Sequence, residues 1–96
     1  MERRKFENIT DVLHRFLRSE GLETPLNEHR ALQVWDEVAG PVVVRYTGEK
    51  RIYNRRLFVK ITSPVVRQEL QMKRSVLMKL INERVGADVI EDVVVN

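Results

Sequence analysis

Arg56 to Leu70, RLFVKITSPVVRQEL, is the stretch from which the rest of the chain is best read. Leu57, Val59 and Ile61 alternate with Phe58, Lys60 and Thr62, and a period of two marks a strand with one face buried. Ser63-Pro64 then ends the strand and opens a helix. Serine accepts hydrogen bonds from the free N–H groups of a first helical turn. Proline fits the first helical position, where its missing N–H costs nothing.

Upstream of this stretch, Lys50 to Tyr53 reads as a short strand, and Asn54-Arg55 as a tight turn that makes a hairpin with Arg56 to Thr62. A two-residue turn pairs Tyr53 with Arg56, Ile52 with Leu57 and Arg51 with Phe58. Ile52 then shares the core face with Leu57, Val59 and Ile61, while Arg51, Tyr53, Arg56, Phe58 and Lys60 share the other. Thr47-Gly48-Glu49 reads as a loop. Two helices are expected before it, both packing on the central strand. The first runs from Asn8 or Thr10 to Glu20, with Ile9, Val12, Leu13, Phe16 and Leu17 at helical spacing and Gly21 as its stop. The second starts at Thr24-Pro25 and ends near Ala39. Trp35, at helical spacing with Leu32 and Val38, reads as core, the alternative being an exposed anchor for a partner. Val42 to Tyr46, between Gly40-Pro41 and the loop, is equally compatible with a strand and with a further helical turn.

Downstream, a third helix is expected from Pro64 to Arg84, with a stripe of Val66, Leu70, Leu77, Leu80 and Ile81. Lys73 and Arg74 interrupt that stripe and predict a bend or an exposed middle. Gly86 closes the helix, and Val89 to Val95 forms a last strand, parallel to the second. The order is α-α-β-β-α-β. The fold class is α+β, with a small three-stranded mixed sheet packed against helices. Residues 1–7 form a polar, flexible lead, and residues 8–96 a single domain.

The chain has no cysteine, which excludes disulfides, thiolate metal sites and a cysteine nucleophile, and suits a reducing cytoplasm. No apolar run reaches membrane-spanning length, and none follows the basic N-terminus as a signal peptide requires. From Arg45 to Lys79 there are ten basic and two acidic residues, a balance of +8, although the whole chain carries only +3. Such polarity suits a polyanion on one side and a different partner on the other, or else simply solvates helix and strand surfaces.

Catalytic chemistry is not expected. His14 and His29 fall on different helices without ligand spacing. Ser63 and Ser75 lack a nearby base. Asp36-Glu37 and Glu91-Asp92 are adjacent pairs whose side chains diverge, and the four glycines do not form a phosphate-cradling loop. No metal or cofactor is expected. The outer face of the hairpin does carry chemistry: Arg51, Arg56 and Lys60 stand with Tyr53 and Phe58, and Arg55 lies at the turn. Basic groups attract phosphates and exposed rings stack on unpaired bases. Lys73 and Arg74 extend this candidate nucleic-acid surface. The alternative is that Tyr53 and Phe58 are covered by another segment or a second protomer.

The run Trp35-Asp36-Glu37-Val38-Ala39-Gly40, then Tyr46-Thr47, Leu57-Phe58-Val59-Lys60-Ile61, Ser63-Pro64, Glu69-Leu70 and Leu80-Ile81-Asn82-Glu83-Arg84-Val85-Gly86 resembles the DciA-like family. The resemblance covers about residues 8–95. It implies a KH-like domain, a non-enzymatic role in bacterial DNA replication, association with the replicative helicase to assist its loading, and binding of DNA with single strands favoured. Two departures matter. The chain has no Gly-x-x-Gly loop, so backbone clamping of nucleic acid as in true KH domains is not carried over. It also stops just after the last strand, where longer members carry a tail. The rival expectation is a protein–protein module or homodimer using the hairpin face without nucleic acid, or an RNA-binding KH-like module.

Overall fold

The computed structural model describes residues 8–96; the expected flexible lead over residues 1–7 lies outside the described residues. Helix α1 spans Ile9–Ser19, α2 Glu23–Ala39 and α3 Pro41–Arg45; strands β1 and β2 span Thr47–Tyr53 and Arg56–Ile61; α4 spans Pro64–Met72, α5 Arg74–Val85, and β3 Asp92–Val95. The fold is α+β with a three-stranded mixed sheet in the order β1-β2-β3, antiparallel between β1 and β2 and parallel between β2 and β3.

The central stretch folds as its sequence dictates. Leu57, Val59 and Ile61 are buried, and Ser63 Oγ accepts from the Val66 N–H at 3.4 Å with Pro64 at the helix start. The hairpin register is the expected one: Tyr53 opposite Arg56, Ile52 opposite Leu57 and Arg51 opposite Phe58. Parallel addition of β3 is also as expected, with Leu57 beside Val93 and Val59 beside Val95. Trp35 is core. It is fully buried, and its Nε1–H donates to Thr47 Oγ1 at 3.2 Å, while the Thr47 hydroxyl donates to the Val43 carbonyl at 2.8 Å. One indole thereby ties α2, α3 and the start of β1 together. Around it the core collects Ala31, Leu57, Ile61, Leu70, Leu77, Ile81, Ile90 and Val93.

Five expectations are corrected or resolved. Val42 to Arg45 is helical rather than extended, with Tyr46 as its cap: Gly40, at φ +88°, turns the chain and Pro41 opens α3. Thr47-Gly48-Glu49 is strand rather than loop, because a register shift between Thr47 and Lys50 absorbs an irregularity and lets β1 continue. The third helix is two helices. The break falls at Lys73, with φ −112° and ψ 17°, where the apolar stripe is interrupted. β3 begins at Asp92 rather than Val89, although Val89 and Ile90 are buried ahead of it. Finally, α1 does not pack on the central strand. It is capped as expected, Asn8 Oδ1 accepting from the Thr10 N–H at 2.7 Å, but it buries none of its residues. Amphipathic spacing specifies the helix and its stripe, not what the stripe meets.

The turn into β3 is organised by one side chain at the end of α5. Asn82 Oδ1 accepts from the N–H groups of Val89 and Ile90, both at 3.1 Å, and its Nδ2 donates to the Ile90 carbonyl at 2.8 Å. Gly86, left-handed at φ +84°, caps the helix by donating to the Asn82 carbonyl. Among the described residues no helix is long and apolar enough to cross a membrane.

Candidate nucleic-acid interface

The turn residues Asn54 and Arg55 both take positive φ, 54° and 62°, the conformation that two-residue hairpins need for the twist of their strands. That turn fixes the alternation on both strands. Arg51 and Tyr53 on β1 and Arg56, Phe58 and Lys60 on β2 accordingly share the sheet face opposite the core. The Arg51 guanidinium carbon lies 4.6 Å from the centroid of the Phe58 ring, a cation–π pair across the strands. Arg51, Phe58 and Lys60, with Glu49 and Asn96, line a shallow depression of about 180 Å³. Tyr53 is 67% exposed. Phe58 is half-buried, with Val94 of β3 beside it in the register. The strand alternation that buries Val93 and Val95 turns Val94 outward; that same alternation, read along the last strand, is the sequence signal for this neighbour.

Of the eight residues predicted for the surface, the structure brings together Arg51, Tyr53, Arg56, Phe58 and Lys60. Arg55 is turned toward the loop after α5: its Nη2 donates to the Asp88 carbonyl at 3.1 Å and pairs with Asp88 Oδ2 at 3.2 Å, and Nη1 lies 3.8 Å from Glu91 Oε2. Arg74 pairs with Asp92 at 3.2 Å, at the edge formed by β3. Lys73 lines an apolar groove between helices instead. Two other basic residues of the +8 segment are also committed elsewhere. Lys50 lies opposite Val59 on the core face, donating to the Leu32 carbonyl at 3.0 Å and pairing with Asp36 at 3.3 Å. Arg67 donates twice to the Ile61 carbonyl, at 3.2 and 2.9 Å. Among the described residues, Arg56 and Lys60 enter no ion pair. The open face therefore presents two uncommitted cations, a third stacked on a ring, and an exposed phenol.

Arg55 serves two opposed ends. A left-handed backbone costs a non-glycine residue about 1 kcal/mol, while its side chain anchors the α5–β3 loop. Arg55→Ala is expected to lower stability by about 1–2 kcal/mol, and Arg55→Gly to recover about 1 kcal/mol of that loss. Urea denaturation of the pair measures this, and equal midpoints would show that the turn stores no strain.

No group of three or more His, Cys, Asp or Glu side chains among the described residues could hold a metal ion. Comparison with known proteins gives one positive finding: the family model described as "Dna[CI] antecedent, DciA" matches residues 8–95. No curated protein matches the chain.

Proposed function

Because the chain belongs to the DciA family, whose role is in bacterial replication and helicase loading, we propose that it is a non-enzymatic adaptor. It holds single-stranded DNA on the open face of its sheet and engages the replicative helicase through another surface. The observation that carries this reading is the outer face itself: Arg51, Arg56 and Lys60 beside Tyr53 and the Arg51-stacked Phe58. Cations along such a face follow a phosphate backbone, and a ring such as Tyr53 offers a stacking platform worth on the order of 1–3 kcal/mol per base. Without a Gly-x-x-Gly loop, contact falls to side chains rather than to a backbone clamp. Double-stranded DNA offers this face less, because its bases are already stacked on each other.

The test is single-stranded DNA affinity as a function of salt. Three phosphate contacts give a slope of log K against log salt of about −2. Arg51→Glu combined with Arg56→Glu is expected to weaken binding about 100-fold at low salt and to flatten that slope. Both side chains are exposed, so the fold is retained. Absence of wild-type binding at low salt, or affinity indifferent to both substitutions, would remove DNA from this face. Co-purification of the replicative helicase with the wild-type protein and with the double variant then tests the second half of the proposal, since the helicase surface is expected to survive the substitutions.

A further inference from the structure

Among the described residues, two apolar surfaces are left open at opposite ends of α2. The first is the stripe of α1, where Ile9, Val12, Leu13 and Phe16 are 83, 47, 45 and 54% exposed. The helix touches the rest of the molecule by its flank instead: His14, Leu17 and Arg18 stand against the N-terminal part of α2 and the end of α5, and Arg18 pairs with Glu23 at 3.4 Å. The second surface is a groove of about 400 Å³ where the end of α2 and α3 meet α4 and α5. Val38, Val43, Val65, Val76 and Leu80 wall it, the buried Leu70 and Leu77 form its floor, and the break at Lys73 bends one wall.

We propose that these two surfaces are each other's partners in a twofold homodimer, α1 of each copy lying in the groove of the other. The placement argues for it. α1 joins the N-terminal end of α2, whereas the groove takes Val38 and Ala39 from its C-terminal end, about 25 Å away along 17 residues of helix. The short link Glu20 to Leu22 holds α1 at the far end from its own groove. The molecule is 59 Å long and 24 Å wide, and two such bodies laid side by side in opposite directions bring each α1 over the other's groove. Shape agrees as well: residues 9, 12, 13 and 16 form the i, i+3, i+4, i+7 pattern by which a helix enters an apolar groove.

Area decides between this and one-sided contact. Each surface alone is on the order of 400 Å², a size that monomers commonly expose. A stable interface needs about 800 Å² from each partner. One copy reaches that only by giving both surfaces at once, which a twofold exchange does automatically, since the contact made by one copy is repeated by the other.

The test uses two charge substitutions at exposed positions, each placed where the helix dipole favours it: Phe16→Lys near the end of α1 and Val65→Asp in the first turn of α4. Sedimentation equilibrium is expected to give a dimer for the wild type. Each variant should raise the dissociation constant about 30-fold or more, with an unchanged far-UV circular dichroism spectrum. An equimolar mixture of the two variants should recover dimer. One α1 and one groove then remain intact, and at the damaged seat the introduced ammonium and carboxylate face each other. The absence of cysteine permits a direct check, in which V12C and V76C proteins cross-link to each other when mixed. A wild-type monomer throughout the concentration range overturns the proposal. So does a dimer indifferent to both substitutions. Loss of the dimer with Phe16→Lys but not with Val65→Asp also overturns it, because α1 would then be pairing with α1.

Discussion

Trp35→Ala is expected to lower the stability of the protein by about 3–5 kcal/mol, the largest effect of any single substitution in the core. The indole is fully buried and its removal leaves a cavity lined by α2, α3 and the sheet, which cannot collapse without moving β1. The loss extends to polar groups: the Thr47 hydroxyl forfeits the donor on which it now relies. Small domains are stable by only about 5–15 kcal/mol in total, so a large share of the molecules unfolds. Trp35→Phe separates the two contributions. It keeps most of the apolar volume but no N–H, and should cost roughly 1–3 kcal/mol. Trp35 is the only tryptophan, so unfolding must be followed by circular dichroism rather than indole fluorescence. A urea midpoint for Trp35→Ala close to that of the wild type would show that the indole is not the centre of the core.

Asn82→Ala is the second large effect, expected at about 2–4 kcal/mol. The alanine leaves the Ile90 N–H and the Ile90 carbonyl without a partner and the Val89 N–H with only the Ala87 carbonyl, at 3.0 Å, and Ile90 is fully buried. Asn82→Asp tests the assignment. A carboxylate can still accept from the two N–H groups, but it sets an oxygen against the Ile90 carbonyl and Asp88 Oδ1, 2.8 and 3.3 Å from the Nδ2 it replaces, so its loss should be no smaller than that of the alanine. Amide hydrogen exchange locates the damage: protection should fall first at Val93 and Val95 of β3, before the hairpin is affected. Equal loss of protection across all three strands would place the role of Asn82 in the global fold rather than in positioning β3.

The parts of this fold that are legible in the sequence are those set by local constraints that agree. The hairpin register follows from a two-residue turn and an alternation that both strands share, and one slip would turn Leu57, Val59 and Ile61 to solvent. The start of α4 follows from Ser63-Pro64 in the same way. Thr47 to Glu49 misleads because threonine, glycine and glutamate together look like a turn; the register shift that keeps them in β1 depends on their partner strand. Lys73-Arg74 marks a weak point in the helix correctly, but whether it bends or breaks depends on what α4 and α5 pack against. Charge is the most deceptive signal. Lys50, Arg55, Arg67 and Arg74 count equally with Arg56 and Lys60 in composition, yet each of the four is held by a partner six or more residues away in the chain. Sequence therefore locates the basic region, and only the fold separates the cations that brace the structure from those that face outward.

The position of β3 has a consequence for the birth of the protein. β2 lies in the middle of the sheet, yet its second neighbour is synthesised only after α4, α5 and the Asn82-bound loop. Until Asp92 to Val95 are docked, the hairpin shows a free row of peptide groups along β2, and its Leu57-Val59-Ile61 face has only α2 to cover it, without Leu70, Leu77 and Ile81. That is the edge on which foreign chains pair. The interval of greatest risk of aggregation thus falls between formation of the hairpin and docking of the final strand.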